Sequence, residues 1–389
     1  MRAHLFAYGF RPNFLLVGFA GLCLIPLWLL IYLGHLPWSG PLPPSLWHAH
    51  EMLYGLVGAA IAGFLLTSVP SWTGHKGFAG WPLVIMSMLW VGARLSLASP
   101  DRWFALTGAA LDLAFLPYLA ALIGPALLRE RNRNTPLLAV VAFLWFCNVA
   151  FYGAIATGNM PMSSAILLLT IDAVMVLVTV IGGRIVPAFT RTALRPHGQE
   201  GVVRSAPLLT VLAIASVIVV ALSDLAVPNT ALAGGIAAIA AGIQTVRLLQ
   251  WGTARTLRQP IVWVLHAAYA WLPVGLALKA AALLGSAPAA QYWLHALTIG
   301  AFSTMIMAVM TRAALGHTGR PIIAHPLTTI SYILLLLAAI TRVFGATTFG
   351  LPFSLAIMLT AVLWTGAFAL FLVIYMPILC GPRADGRPG

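Results

Sequence analysis

The chain has 389 residues, of which 61% are apolar and only 7% charged, at a mean hydropathy of +0.97. Soluble domains carry about a quarter charged residues, so disorder, a secreted disulfide scaffold and a cytosolic enzyme are excluded, and a polytopic membrane protein is implied. The net charge of +13 comes from Arg and Lys in twos to fours between apolar runs, never interleaved with aromatics, which marks cytoplasmic loops and not a nucleic-acid surface.

A bilayer core of roughly 30 Å takes about 20 apolar helical residues. Twelve such runs follow one another, at residues 13–33, 49–69, 81–99, 104–127, 136–157, 163–188, 206–224, 229–250, 260–284, 289–313, 327–346 and 352–379. The first follows Met1 to Arg11 with no small-residue cleavage site, so it reads as a retained helix. Loops are short and no polar linker interrupts the runs. The expectation is a single all-α transmembrane domain over 1–389, twelve helices in the lipid bilayer.

Orientation follows from the positive residues. With the N-terminus inside, 17 of the 21 fall on inner segments, among them Arg2, Arg11, Arg131, Arg184, Arg247, Arg320 and Arg383; Arg94, Arg102, Lys279 and Arg342 fall on outer ends. Both termini are therefore expected in the cytoplasm. A faint repeat runs through the chain. Val69-Pro70-Ser71-Trp72-Thr73 ends helix 2, Val186-Pro187-Ala188-Phe189-Thr190 ends helix 6, and Gly74-His75-Lys76-Gly77 has a counterpart in Gly316-His317-Thr318-Gly319 after helix 10. Three four-helix units are one reading; Pro and Gly gathering at helix ends is the other.

Ionisable groups inside a membrane are costly and are functional candidates by default. The densest set is Trp47-His48-Ala49-His50-Glu51-Met52 at the start of helix 2. Residues two apart on a helix point about 200° apart, so His48 and His50 serve different faces, while Glu51 shares a face with His48 as a tautomer-holding or proton-exchanging carboxylate. The alternative is a polar cap at the membrane surface. His295, at a similar depth in helix 10, is the best partner from another helix for a haem held by facing imidazoles. His266, in Trp263-x-x-His266-x-x-Tyr269, is a second ligand or a hydrogen-bonded core histidine. Asp172 in helix 6 is a proton relay or an internal ion-pair member. Arg312, His317 and Arg320 form a basic cluster suited to a haem propionate or a lipid phosphate, or are interface residues that snorkel. His48, His50, His266, His295 and His317 are thus the candidate metal ligands, and Glu51 and Asp172 the candidate catalytic acids. Cys23, Cys147 and Cys380 form no Cys-x-x-Cys-His, which points to b-type haem over covalently attached haem.

Several strings resemble the NnrS family: Phe10-Arg11-Pro12, Trp47-His48-Ala49-His50-Glu51-Met52, Gly63 to Thr67 with Gly74, Gly182-Gly183-Arg184 with Pro187, His295-Ala296-Leu297-Thr298, and Met310 to Ala313 through Gly316-His317-Thr318-Gly319-Arg320. They run in order from the N-terminus to helix 10. The resemblance implies a bacterial inner-membrane protein that contains haem and copper, serves the nitric oxide response and protects against nitrosative stress. Its small-molecule partner would be nitric oxide or a related nitrogen oxide, with an electron donor such as quinol. No residue role is carried over. Haem–copper oxidases and nitric oxide reductases offer a fold-level analogy, three four-helix units with a His-x-His pair on one helix. This sequence departs from them, since helices 6 and 7 hold no histidine and so lack their copper ligands. The competing function class is a twelve-helix secondary transporter. Against it stand the absence of a long central loop and polar groups that gather near the outer face and not at the midplane.

Overall fold

A computed structural model describes residues 2–130, 132–285 and 288–387, with the side chains of 2 and 3 excepted. Arg131 and the Arg2 side chain, both counted on the inner face, lie outside the described residues. Among the described residues the chain is helical throughout and has no strand. Helices stand at all twelve expected places: α1 (Phe10–Tyr32), α2 (Pro44–Thr73), α3 (Trp81–Leu97), α4 (Arg102–Arg129), α5 (Pro136–Ala156), α6 (Met160–Leu194), α7 (Pro207–Ala226), α8 (Ala231–Leu249), α9 (Pro260–Leu283), α10 (Pro288–His317), α11 (Pro326–Phe344) and α12 (Phe353–Cys380). Eleven are long and apolar enough to cross a membrane; α3 is shorter, at 17 residues.

Local sequence explains where these helices start and stop. Proline, which lacks an N–H that the first turn cannot use, opens α2, α5, α7, α9 and α11. Asp101 caps α4 by accepting from the backbone N–H groups of Trp103 and Phe104 at 2.9 and 3.0 Å. Gly74, left-handed at φ 68°, ends α2. Pro26, Pro70, Pro117, Pro187 and Pro273 lie within helices and do not end them, as membrane helices permit. For that reason α6 continues to Leu194, past the expected boundary at 188.

Two helices are not α-helical throughout. In α2 the winding changes to π over Glu51–Val57, and in α10 over Ala296–Ser303. Each π stretch starts on the residue after a histidine singled out above, His50 or His295. They also lie in the two most buried long spans, with 83% and 67% of the most apolar window inside the protein. The His-then-π arrangement and the Gly-His-x-Gly ending recur in α2 and α10. α6 is uninterrupted α-helix, so this likeness covers two of the three helices the repeat would relate.

The chain divides into two compact units. The first comprises residues 1–170, 313–321 and 368–389, and in it α2 packs on α1 and α4, α3 on α4, and α4 on α5. Small residues set the closest approaches: a Cβ on Gly63 would fall 2.7 Å from the Phe14 ring, and one on Gly18 2.6 Å from Leu372. The second unit comprises residues 171–312 and 322–367, with α8 packed on α7 and α9, and the π stretch of α10 against α9 and α11. Here Gly300 and Gly275 allow the contact, their Cβ positions lying 2.4 Å from Trp271 and 2.5 Å from Leu297.

Candidate functional site

In the first unit α2 carries His50 and Glu51 into the interior, where they are 0% and 1% exposed. Glu51 Oε2 lies 2.9 Å from Arg94 Nε, and Arg94 Nη2 pairs with Asp112 Oδ1. Asp112 Oδ2 accepts from Asn148 Nδ2 at 2.7 Å and from the Tyr152 hydroxyl at 3.2 Å. His50 closes the ring: Nδ1 faces Glu51 Oε1 at 3.3 Å, and Nε2 faces Asn148 Oδ1 at 3.0 Å and Asp112 Oδ2 at 3.4 Å. Its imidazole is stacked on Phe151 at 4.8 Å. Four helices thus supply one buried network of two carboxylates, a guanidinium, an imidazole, an amide and a phenol. Buried charges persist in such surroundings only when paired and hydrogen-bonded.

The π winding shapes this network. It disturbs the ladder of backbone bonds, and the Gly55 carbonyl within it accepts from the indole N–H of Trp90 at 2.8 Å. Gly55 also makes room for the guanidinium, since a Cβ there would be 3.2 Å from Arg94 Nη1. Tyr54, one residue earlier, bonds Thr170 Oγ1 at 2.9 Å.

Glu51 therefore turns to His50 and Arg94, where the i,i+3 spacing pointed to His48. The buried Arg94 guanidinium, 2.9 Å from Glu51 Oε2, draws the carboxylate into the network. His48 is half-buried, with its ring 4.5 Å from that of Trp28. Both nitrogens of His50 meet protein oxygen atoms, so the network occupies them. Arg94, Asp112, Asn148 and Tyr152 were not singled out by sequence. Arg94 was taken for an outer-face charge, and the others gave no local signal beyond being polar in an apolar run.

In the second unit His295 is half-buried at the head of its π stretch. His266 is a hydrogen-bonded core histidine: Nε2 lies 2.8 Å from Thr190 Oγ1 and Nδ1 3.0 Å from Thr253 Oγ1. Arg312 lies 3.9 Å over the Phe189 ring. Asp172 is fully buried and neighbours Asp224, which is paired with Lys279. Another buried cation, Arg247, donates to the Thr179 carbonyl and the Tyr269 hydroxyl at 2.9 and 3.0 Å, and rests on the Trp251 ring.

The Gly316-His317-Thr318-Gly319-Arg320 string proves to be a latch for the C-terminal tail in the first unit. Arg383 donates to the His317 carbonyl at 2.8 Å, and the Ala384 N–H to the Thr318 carbonyl at 2.9 Å. Gly319 is left-handed at φ 71°, and its missing side chain leaves the space taken by the Asp385 carboxylate. Arg383 holds that carboxylate well below the usual range. The His317 ring lies 5.6 Å from that of Phe10. Arg11 anchors the other side through the carbonyls of Leu379 and Gly381 at 2.9 and 2.7 Å. Among the described residues, no three His, Cys, Asp or Glu side chains converge as a metal site.

These features define a polytopic helical membrane protein with buried ion-pair networks, whose two most enclosed helices unwind to π just after a histidine. A family model for the NnrS protein matches residues 4–383, nearly the whole chain. The chain belongs to the NnrS family, and with it to the membrane proteins of the nitric oxide response. No curated protein matches it.

Proposed function

We propose that this protein holds b-type haem within the bacterial inner membrane and captures nitric oxide there, binding or converting it as protection against nitrosative stress. The observation behind the proposal is the pair of π stretches that follow His50 and His295. π-winding is rare, and single π turns inside helices concentrate at functional sites. Two in one chain, both opening beside the histidines and both in the most buried spans, are more than packing requires.

The donor chemistry fits haem at two positions. His48 and His295, half-buried histidines at the heads of α2 and α10, are the residues that would hold it. Both ring nitrogens of His50 and of His266 meet protein oxygens. Ferrous haem would supply the binding chemistry for nitric oxide, an uncharged gas that reaches a buried site through lipid. In the first unit the chain's own residues hold fixed charge: Glu51, Arg94, Asp112 and His50 form a pre-oriented network able to hold and move a proton in the interior. Copper, implied by the same resemblance, meets no converging ligand set among the described residues, and no role is assigned to it.

The test is ligand replacement in the purified full-length protein. His48→Ala or His295→Ala should lower the haem content or shift the Soret band, while His266→Ala should leave both unchanged. Full haem content and unshifted bands in both of the first two variants would remove them as ligands.

A further inference from the structure

Asp172 is a buried carboxylate with neither oxygen hydrogen-bonded. It lies 12 residues into the 35-residue α6, is 0% exposed, and neither carboxyl oxygen receives an N–H or O–H from the protein. The groups facing it come from two neighbouring helices of the second unit. Asp224, two residues before the end of α7, and Lys279 of α9 lie within electrostatic reach of it. Lys279 is itself committed: it pairs with Asp224 Oδ2 and rests 4.6 Å over the Trp293 ring of α10.

Charge counting decides what this site holds. One ammonium neutralises one carboxylate, and the geometry gives that role to Asp224. A second bare carboxylate at full burial, with no donor, would cost several kcal/mol. We infer that the Asp172–Asp224 pair, with Lys279 as its fixed cation, is a proton-binding site in the membrane span that carries one exchangeable proton at neutral pH. The ligand is the proton itself. It sits on Asp172, while Asp224 keeps the negative charge that pairs with Lys279. The site shares no residue with the Glu51 network and stands whether or not the chain binds haem.

Infrared difference spectroscopy of the full-length protein in lipid vesicles tests this directly. A protonated carboxyl has a carbonyl stretch apart from the carboxylate bands, and it moves to lower frequency in D2O. With eight acidic residues in the whole chain, the band is assignable. Wild-type protein at neutral pH should show it with the deuterium shift; Asp172→Asn or Asp224→Asn should abolish it, and Glu51→Gln should retain it. A wild-type spectrum without the band, a band that ignores D2O, or one that persists in both Asn variants overturns the site. Thermal unfolding adds a second readout. Asn is the neutral isostere of a protonated Asp, so Asp172→Asn should melt close to wild type, whereas an ionised, ion-paired Asp172 would make that variant melt well below it. If neither Asn variant folds, the neutral-aspartate assignment fails on the same ground.

Discussion

At the scale of single residues, the scarcity of charge makes each buried ion consequential. Arg94 bridges Glu51 and Asp112, and replacing it leaves two carboxylates buried together. Breaking one side of a buried pair costs about 3–5 kcal/mol. Arg94→Met should therefore lower the unfolding midpoint of the purified protein far more than Arg102→Met at the exposed start of α4; equal midpoints would mean that the network contributes nothing to folding. Gly183 is a second sensitive position, since a Cβ there would lie 2.0 Å from Arg247 Nη2. Gly183→Ala should destabilise by about 1–3 kcal/mol, read from denaturant unfolding in micelles. Only part of this was legible in the sequence. Glu51 and Asp172 stood out because acids are rare. Arg94 and Lys279 looked like membrane-surface charges, since each sits near the end of an apolar run. Their partners come from other segments: Lys279 and Asp224 are 55 residues apart. No local pattern records such a pairing.

At the scale of the helix, hydrophobic length located all twelve helices, eleven of them long enough to span, because lipid admits few alternatives to a helix of that length. The changes of winding were not legible. Glu51–Val57 and Ala296–Ser303 are as apolar as the stretches around them, and no local pattern in their sequence marks the change to π. Gly300 lies in the second of these stretches, its Cβ position 2.4 Å from the Trp271 indole. Gly300→Ala must push α9 and α10 apart, at a cost of about 1–3 kcal/mol. If the π stretch orients His295, the same variant should also perturb the haem spectrum; Gly92→Ala in α3 is the control, expected to leave the spectrum intact. An unshifted spectrum in Gly300→Ala would separate the winding from the haem site.

At the scale of the whole molecule, the charge asymmetry sharpens once buried pairs are set aside. Of the four positive residues on outer ends, Arg94 and Lys279 belong to interior ion pairs, and Arg342 lies 4.7 Å over the Tyr292 ring. The outer side is thus nearly bare of free cations, which strengthens the expectation that both termini are cytoplasmic. Twelve crossings put them on one side, and the first unit does bring Arg11 to the carbonyls at the end of α12. A fluorescent protein fused to the C-terminus, of a kind that matures only in the cytoplasm, should fluoresce in cells. A dark fusion joined with activity from a periplasmic reporter at the same point would reverse the topology.

Haem-based capture of nitric oxide is tested most directly by the visible spectrum of the purified full-length protein, recorded as isolated, after dithionite, and after nitric oxide. A Soret band that sharpens on reduction and shifts on adding the gas, with iron present by elemental analysis, is the expected result. A featureless spectrum from folded protein, without iron, would contradict it.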